Sequence, residues 1–167
     1  CLIVFSLTIT AQTTEELKKQ AEKLFKDENY DEAYKFYSQL VSNFPKDPDY
    51  NYHLGVCMIY SEADKTKCLP YLKLAAANPN DAPKEVLFYL GKAYHINYRF
   101  DEAIRNYNEF KKTAAASLQK KLQVDREIRA CTNGKKLLTN ISDLSVLSKK
   151  ELAKADYFRS YDLKKMG

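Results

Sequence analysis

The sequence predicts an all-α protein, a solenoid of three helical hairpins with a capping helix and a short extended C-terminal segment. Residues 30–37 contain an aromatic residue, Asp-Glu-Ala and a later Tyr, and residues 100–107 repeat this pattern after seventy residues, or two periods of thirty-five. Periods of this length are typical of helical solenoids. The 13 Tyr and 8 Phe, with only 4 Gly, also favour helices, because all-β folds usually need more glycine at their turns.

The first hairpin is predicted by a capping residue and by apolar spacing. Thr13 or Thr14 can cap a helix in which apolar residues recur every three to four positions, and Asp27-Glu28-Asn29 forms the turn. A second helix follows over residues 30–41 and ends before Pro45.

Two further hairpins are predicted over residues 49–77 and 83–113. Their first helices contain Gly55 and Gly91 at positions equivalent to Ala21. Closely crossing helices need small residues at the contact, so we expect Gly55 to face Cys68 and Gly91 to face Ala103.

An amphipathic helix is predicted over residues 114–133, where it caps the end of the solenoid. Asn133-Gly134 indicates the end of that helix. Apolar residues among Thr, Asn and Ser then indicate an extended segment, so residues 135–167 are predicted to be a linker or the start of a second domain.

These residues resemble the tetratricopeptide repeat. The matching positions are Leu54-Gly55, Leu90-Gly91 with Tyr94, Asp31-Glu32-Ala33, Asp101-Glu102-Ala103, Pro45 and Pro79. The resemblance implies that residues 12–134 form a repeat solenoid that binds other proteins. Cys131 to Leu138 after such repeats is also similar to Bacteroidetes envelope proteins, in which this module precedes a WD-like β-propeller and a peptidoglycan-binding domain related to outer membrane protein A.

The first eleven residues are mostly apolar and carry no charge, which is typical of the core of a secretory signal. We therefore expect residues 1–11 to be the remnant of a signal peptide, and the protein to be exported to the periplasm or the outer membrane. The run is too short to cross a bilayer as a helix. The alternative interpretation is a buried N-terminal strand.

Three cysteines follow the apolar run. Cys57 and Cys68 lie on the two helices of one predicted hairpin, where they can either form a disulfide or pack as small apolar residues. No spacing of Cys57, Cys68 and Cys131 with the two histidines resembles a zinc site.

The positive charge is concentrated near the C-terminus. Residues 1–110 contain 13 basic and 16 acidic residues, whereas residues 111–167 contain 14 basic and 6 acidic residues. Lysine pairs in the second part indicate either binding to nucleic acid or anionic lipid, or a solvated face.

No catalytic motif is present in the sequence, which has no phosphate-binding glycine loop, no His-Glu-x-x-His and no Gly-x-Ser-x-Gly. The carboxylates Asp31-Glu32 and Asp101-Glu102 follow predicted helix starts, where the helix dipole favours negative charge. We therefore predict a protein that is not an enzyme and needs no cofactor or metal.

Binding to a protein partner is the predicted function. The first helix of each stacked hairpin lines the concave face, which gives a groove with aromatic anchors and basic residues. The predicted groove residues are Tyr52, Val56, Tyr60, Phe88, Lys92 and His95. Such a groove suits a peptide, a partner helix or a neighbouring domain. The aromatic residues can alternatively pack between helices, and the protein can alternatively be an intracellular adaptor.

Overall fold

The computed structural model describes residues 13–77, 81–140, 151, 153 and 154. All regular structure in these residues is helical, without strands, which confirms the all-α prediction for this part of the chain. The helices are α1 (Thr14–Lys26), α2 (Tyr30–Asn43), α3 (Pro48–Tyr60), α4 (Cys68–Ala77), α5 (Val86–Ile96), α6 (Phe100–Thr113), α7 (Ala116–Lys121) and α8 (Val124–Asn140), with a 3₁₀ turn at Lys65–Lys67.

Side chains at the helix starts explain why the first helices begin where they do. Thr13 and Glu16 form a reciprocal capping box, with 3.2 Å between each backbone nitrogen and the side-chain oxygen it donates to. The Asn29 side chain accepts from the backbone N–H of Glu32 at the start of α2. The Asp47 side chain accepts from the backbone N–H of Tyr50. Pro48 is the first residue of α3, where the proline ring fixes φ close to the helical value.

Consecutive helices pair as hairpins that pack on one another. α1 packs against α2, α3 against α4, and α5 against α6, while α2 with α3 and α4 with α5 join neighbouring hairpins. α8 packs mainly along α6 and also touches α5. One continuous row of hairpins therefore ends in α8.

Glycines permit the close approach of helices, as expected, and large side chains lie nearest to them. A Cβ atom on Gly55 would lie 2.5 Å from Leu72 Cγ, and one on Gly91 would lie 2.7 Å from the Tyr107 ring. The atoms nearest to these glycines therefore belong to Leu72 and Tyr107, whereas the expected contacts with Cys68 and Ala103 stay predictions. The large side chain one helical turn further along the second helix fills the space above each glycine.

The C-terminal helices also differ from the prediction of one helix over residues 114–133. The helix is interrupted after α7, where Gln123 adopts a positive φ of 52°. The next helix, α8, then continues through Gly134 to Asn140. Gly134 is not a helix end, because a Cβ there would lie 2.8 Å from the Phe100 ring. Its small size permits α8 to approach α6. The predicted extended segment is therefore helical over residues 135–140.

Two predicted segments lie largely outside the described residues. They are the signal remnant, residues 1–11, and the tail beyond residue 140, of which only residues 151, 153 and 154 are described. None of the helices in the described part of the chain is both long and apolar enough to span a membrane.

The two repeated Asp residues connect neighbouring units. Asp31 Oδ1 accepts from the backbone N–H of Glu62 at 2.9 Å, and Asp101 Oδ1 lies 2.5 Å from Lys135 Nζ. Both residues lie in the first turn of a helix, as predicted. Their contacts with the next unit add a second role that the helix dipole alone does not explain.

All three cysteines of the described chain are free and buried. Burial raises the pKa of the Cys57 and Cys68 thiols to about 12. These thiols are therefore protonated at neutral pH and pack as small apolar groups.

An aromatic groove as the candidate binding site

A groove with a volume of about 700 Å³ is lined by residues of α1, α3, α7 and the starts of α2 and α5. We call it the aromatic groove. Its aromatic and apolar lining consists of Phe25, Tyr30, Tyr52, His53, Tyr60, Pro83, Tyr89, Leu118 and Leu122.

Three tyrosines form a continuous wall in this groove. Tyr52 and Tyr60 are eight residues apart on α3, and Tyr89 on α5 contacts both. The ring centroids of Tyr52 and Tyr89 are 5.7 Å apart with the planes at 78°, and those of Tyr60 and Tyr89 are 6.2 Å apart at 84°. These edge-to-face contacts hold the rings in fixed positions.

The wall continues toward α1 and α2. Tyr30 stacks on Tyr60 with 5.0 Å between the ring centroids, and Phe25 meets Tyr30 edge-on at 5.5 Å. The rings therefore form one connected series from the end of α1 to the start of α5.

Two tyrosines of the wall, Tyr52 and Tyr89, are neutral at physiological pH. Burial raises the pKa of Tyr52 and Tyr89 well above the usual range, and the nearby Glu85 carboxylate raises both further. Their hydroxyl groups therefore retain the proton and can donate hydrogen bonds.

His53 also lines the groove, but its contacts are structural. Its ring stacks on Tyr37 with 4.8 Å between the centroids, and its Nδ1 lies 2.8 Å from the Asp49 backbone oxygen. Burial alone would raise the pKa of Asp49, but the hydrogen bond and charge of His53 outweigh it, so that pKa is lowered. These contacts hold the ring in place at the floor of the groove.

Two of the six predicted groove residues, Tyr52 and Tyr60, line this groove. The other four, Val56, Phe88, Lys92 and His95, have exposures of 2% or less and lie in the interior. Tyr89, which the prediction omitted, takes the place expected for Phe88. These four interior side chains offer no surface to a partner in this structure. Their prediction as groove residues is therefore wrong.

Lys92 and His95 instead take part in a buried polar cluster with Glu127. Lys92 Nζ lies 3.1 Å from Glu127 Oε1, and His95 Nδ1 lies 3.7 Å from Glu127 Oε2. Burial alone would raise the pKa of Glu127, but the charge of Lys92 and the adjacent His95 ring hold it well below its usual range. Glu127 is therefore ionised and compensates the buried cation.

Sequence reasoning missed Glu127, although a signal for it existed. Glu127 lies three residues after Val124 and four before Cys131, both fully or almost fully buried. This spacing places it on the inward stripe of α8. An acidic residue there needs a partner from a neighbouring helix.

Charged residues also line the aromatic groove. They are the carboxylates of Glu28 and Glu85 and the ammonium group of Lys121. Glu28 lies in the turn between α1 and α2, Glu85 directly precedes α5, and Lys121 ends α7. The lining therefore contains two negative charges and one positive charge.

Several lysines of the basic C-terminal part form exposed ion pairs. Lys111 Nζ lies 2.5 Å from Asp125 Oδ1, Lys112 pairs with Glu109 at 2.7 Å, and Lys135 pairs with Asp101. These contacts support the interpretation that the described lysines form a solvated face. They do not support a nucleic-acid-binding surface.

Within the described residues, no group of three or more His, Cys, Asp or Glu side chains is arranged to hold a metal ion. Comparisons with known protein families and with curated proteins give no match to this chain. The geometry of the aromatic groove is therefore the observation that points to a function.

Proposed function

We propose that this chain is a non-enzymatic protein-interaction scaffold, built as a tetratricopeptide-type solenoid, that binds an extended segment of a partner protein in the aromatic groove. The observation that carries the proposal is the wall of Tyr52, Tyr89 and Tyr60, which lines an open groove of about 700 Å³. Tyrosines of this kind are frequent energetic centres of protein interfaces, because they combine large apolar area with a hydrogen-bonding group.

The repeat architecture is supported by the order of the helices and by the equivalent small residues. Gly55 and Gly91 occur on the first helices of successive hairpins, and each is covered by a side chain of the second helix. Glu28 and Tyr98 occupy equivalent turns seventy residues apart, with φ values of 58° and 59°. Two hairpins therefore repeat in backbone conformation as well as in sequence.

A peptide is a better fit than a small molecule or a large helix. The aromatic series is elongated, and Tyr52 and Tyr60 lie on the same helix about 12 Å apart along its axis, from the rise of an α-helix. Leu118 on α7 and Leu122 directly after it add apolar side chains to the lining. An elongated aromatic surface suits an extended backbone with alternate side chains in contact.

A peptide library tests this proposal. Displayed random peptides are selected on the immobilised chain, and their binding is measured by NMR titration of the ¹⁵N-labelled protein. We expect the selected peptides to shift amide signals of groove residues. Tyr60→Ala and Tyr89→Ala should each weaken binding by about 2 kcal/mol, the threshold for an interface hot spot.

Matched controls separate binding from folding. Tyr34→Ala on α2 and Tyr71→Ala on α4 remove half-buried tyrosines that do not line the groove. In thermal melts, these control variants should lose about as much stability as Tyr60→Ala and Tyr89→Ala. Unlike those variants, they should still bind the selected peptides. Equal affinities in all four variants would refute the groove as the binding site.

We also propose that the scaffold is exported, as the apolar run at residues 1–11 suggests. Mass spectrometry of the protein isolated from its native cells tests this. A mature chain that starts near Gln12 or Thr13 supports export, and an intact apolar start in a cytosolic fraction contradicts it.

A further inference from the structure

We propose that the aromatic groove selects a peptide with two basic side chains about four residues apart and an apolar side chain between them. This inference rests on the proposed peptide-binding function and specifies the partner of the same groove. It follows from where the charged residues of the lining lie and from which of them form ion pairs within the described residues.

The two carboxylates of the lining are available to a ligand. Within the described part of the chain, the Glu28 and Glu85 carboxylates form neither a hydrogen bond nor an ion pair. Many other acidic side chains there do so, among them Asp31, Asp101 and Glu127. Two unpaired carboxylates beside aromatic rings favour a cationic side chain, which can pair with the carboxylate and lie against the rings.

The carboxylates lie at opposite ends of the tyrosine wall. The Glu28 backbone oxygen accepts from the N–H of Tyr30, whose ring stacks on Tyr60. Glu85 directly precedes α5, and its backbone oxygen accepts from the N–H of Tyr89 at 3.1 Å, whose ring lies 5.7 Å from that of Tyr52. The Glu85 charge also raises the pKa of Tyr52, in keeping with a place beside the Tyr52 end of the wall. Each end of the wall therefore has one negative charge.

The length of the wall sets the spacing of the basic residues. Tyr52 and Tyr60 are separated by eight helical residues, about 12 Å along the axis of α3. An extended peptide rises about 3.3 Å per residue, so this distance corresponds to about four residues. Alternate side chains of an extended peptide point the same way, so the residue midway between the two basic residues faces Tyr89.

Lys121 is the opposing charge in the lining. It lies at the end of α7 and is exposed. An ammonium group there repels a basic peptide, so its removal provides a test with the opposite sign. The net charge of the lining groups is negative with Lys121 present and more negative without it.

The experiment uses the acetylated and amidated peptide Gly-Lys-Ala-Leu-Ala-Lys-Gly and NMR titration of the ¹⁵N-labelled chain. We expect amide shifts centred on Tyr60 and Tyr89. Replacing either lysine of the peptide by glutamine should weaken binding about fivefold, from the attraction of one exposed charge pair in water. Placing the lysines two positions apart should cost about the same factor, because only one carboxylate is then reached.

Protein variants identify the carboxylates that act. Glu28→Gln and Glu85→Gln should each weaken binding of the lysine peptide about fivefold and leave unchanged the binding of the glutamine peptide, in which both lysines are replaced. Lys121→Gln should strengthen binding of the lysine peptide. Glu62→Gln, which removes an exposed carboxylate outside the groove, is the control and should have no effect.

The outcomes separate this inference from the proposed function. If the lysine and glutamine peptides both shift groove residues with equal affinity, the charge preference is overturned and peptide binding stands. If neither peptide shifts groove residues, and no library peptide does so, both proposals fall. If binding depends on lysine but is unchanged by Glu28→Gln and Glu85→Gln, the assignment to these carboxylates is wrong.

Discussion

Lys92 Nζ on α5 lies 3.1 Å from Glu127 Oε1 on α8, and the two side chains are only 1% and 9% exposed. The ammonium group also lies 5.9 Å from the centroid of the Tyr60 ring, directly behind the aromatic groove. A buried charge without its partner is strongly unfavourable. We therefore interpret the pair as the contact that sets where α8 docks on the last hairpin.

Removing one partner of this pair should be far more damaging than removing both. Glu127→Leu leaves the Lys92 cation buried without its carboxylate, and we expect a loss of about 3–5 kcal/mol in the free energy of unfolding. The double variant with Lys92→Met should recover most of that loss, because two apolar side chains replace the pair. Urea denaturation followed by circular dichroism measures both.

The control for that comparison is the exposed pair of Lys111 and Asp125, which also joins α8 to an earlier helix. Asp125→Leu should change the free energy of unfolding by no more than about 1 kcal/mol, because exposed pairs contribute little. Equal losses for Glu127→Leu and Asp125→Leu would show that the buried pair has no special role.

Acid should destabilise the protein through Glu127. The pKa of Glu127 in the folded state is held well below its ordinary value of 4.5, by the net effect of Lys92 and His95 against burial. A depressed folded pKa gives stability that is complete above pH 4.5 and is lost as the pH falls toward the folded pKa. We therefore expect the free energy of unfolding to fall steeply below about pH 4.5.

Glu127→Gln tests the origin of this acid sensitivity, because it keeps the size of the side chain and removes its titration. The variant should be less stable at pH 7 and show a shallower decline between pH 5 and pH 3. Glu62→Gln, at an exposed position, should leave the decline unchanged. An identical decline in the wild type and the Glu127→Gln variant would assign acid sensitivity to other groups.

Gly91 should not tolerate even one methyl group. A Cβ there would lie 2.7 Å from the Tyr107 ring, which is itself fully buried and cannot move into solvent. We expect Gly91→Ala to cost about 1–3 kcal/mol by overpacking, although alanine is the better helix former. Asn108→Ala, at an exposed position of α6, is the control and should be nearly neutral. A stabilised Gly91→Ala variant would refute the close contact.

The sequence could predict the hairpins because capping residues, turns and small residues recur at a fixed spacing. It could not predict which face of α5 is covered. Phe88, Lys92 and His95 follow the spacing of a groove-facing stripe, but this face is buried and α8 supplies the Glu127 partner of Lys92 and His95. The neighbouring residue Tyr89 faces the groove instead. Local spacing identifies a stripe, whereas only the packing of a later helix decides whether solvent reaches it.

The helix end predicted at Asn133-Gly134 failed for a related reason. Glycine after an amphipathic stretch is typical of a helix end, but Gly134 lies inside α8 against the Phe100 ring. Glycines at close helix contacts and at helix ends look alike in one sequence. The partner, here an aromatic residue at the start of α6, is visible only in the folded chain.

Asp31 and Asp101 allow the contacts between units to be separated from the helix dipole. Both lie in the first turn of equivalent helices, so Asp→Ala removes the same dipole interaction at each position. Asp31 also accepts from the backbone N–H of Glu62, whereas Asp101 meets the side chain of Lys135. We expect Asp31→Ala to cost about 1 kcal/mol more than Asp101→Ala, because a fixed backbone donor loses its acceptor while an exposed lysine is readily solvated. Urea denaturation gives both values, and Lys135→Ala should match the small pair contribution at Asp101. A larger loss for Asp101→Ala would mean that the exposed lysine pair contributes more to the contact between units than the backbone hydrogen bond.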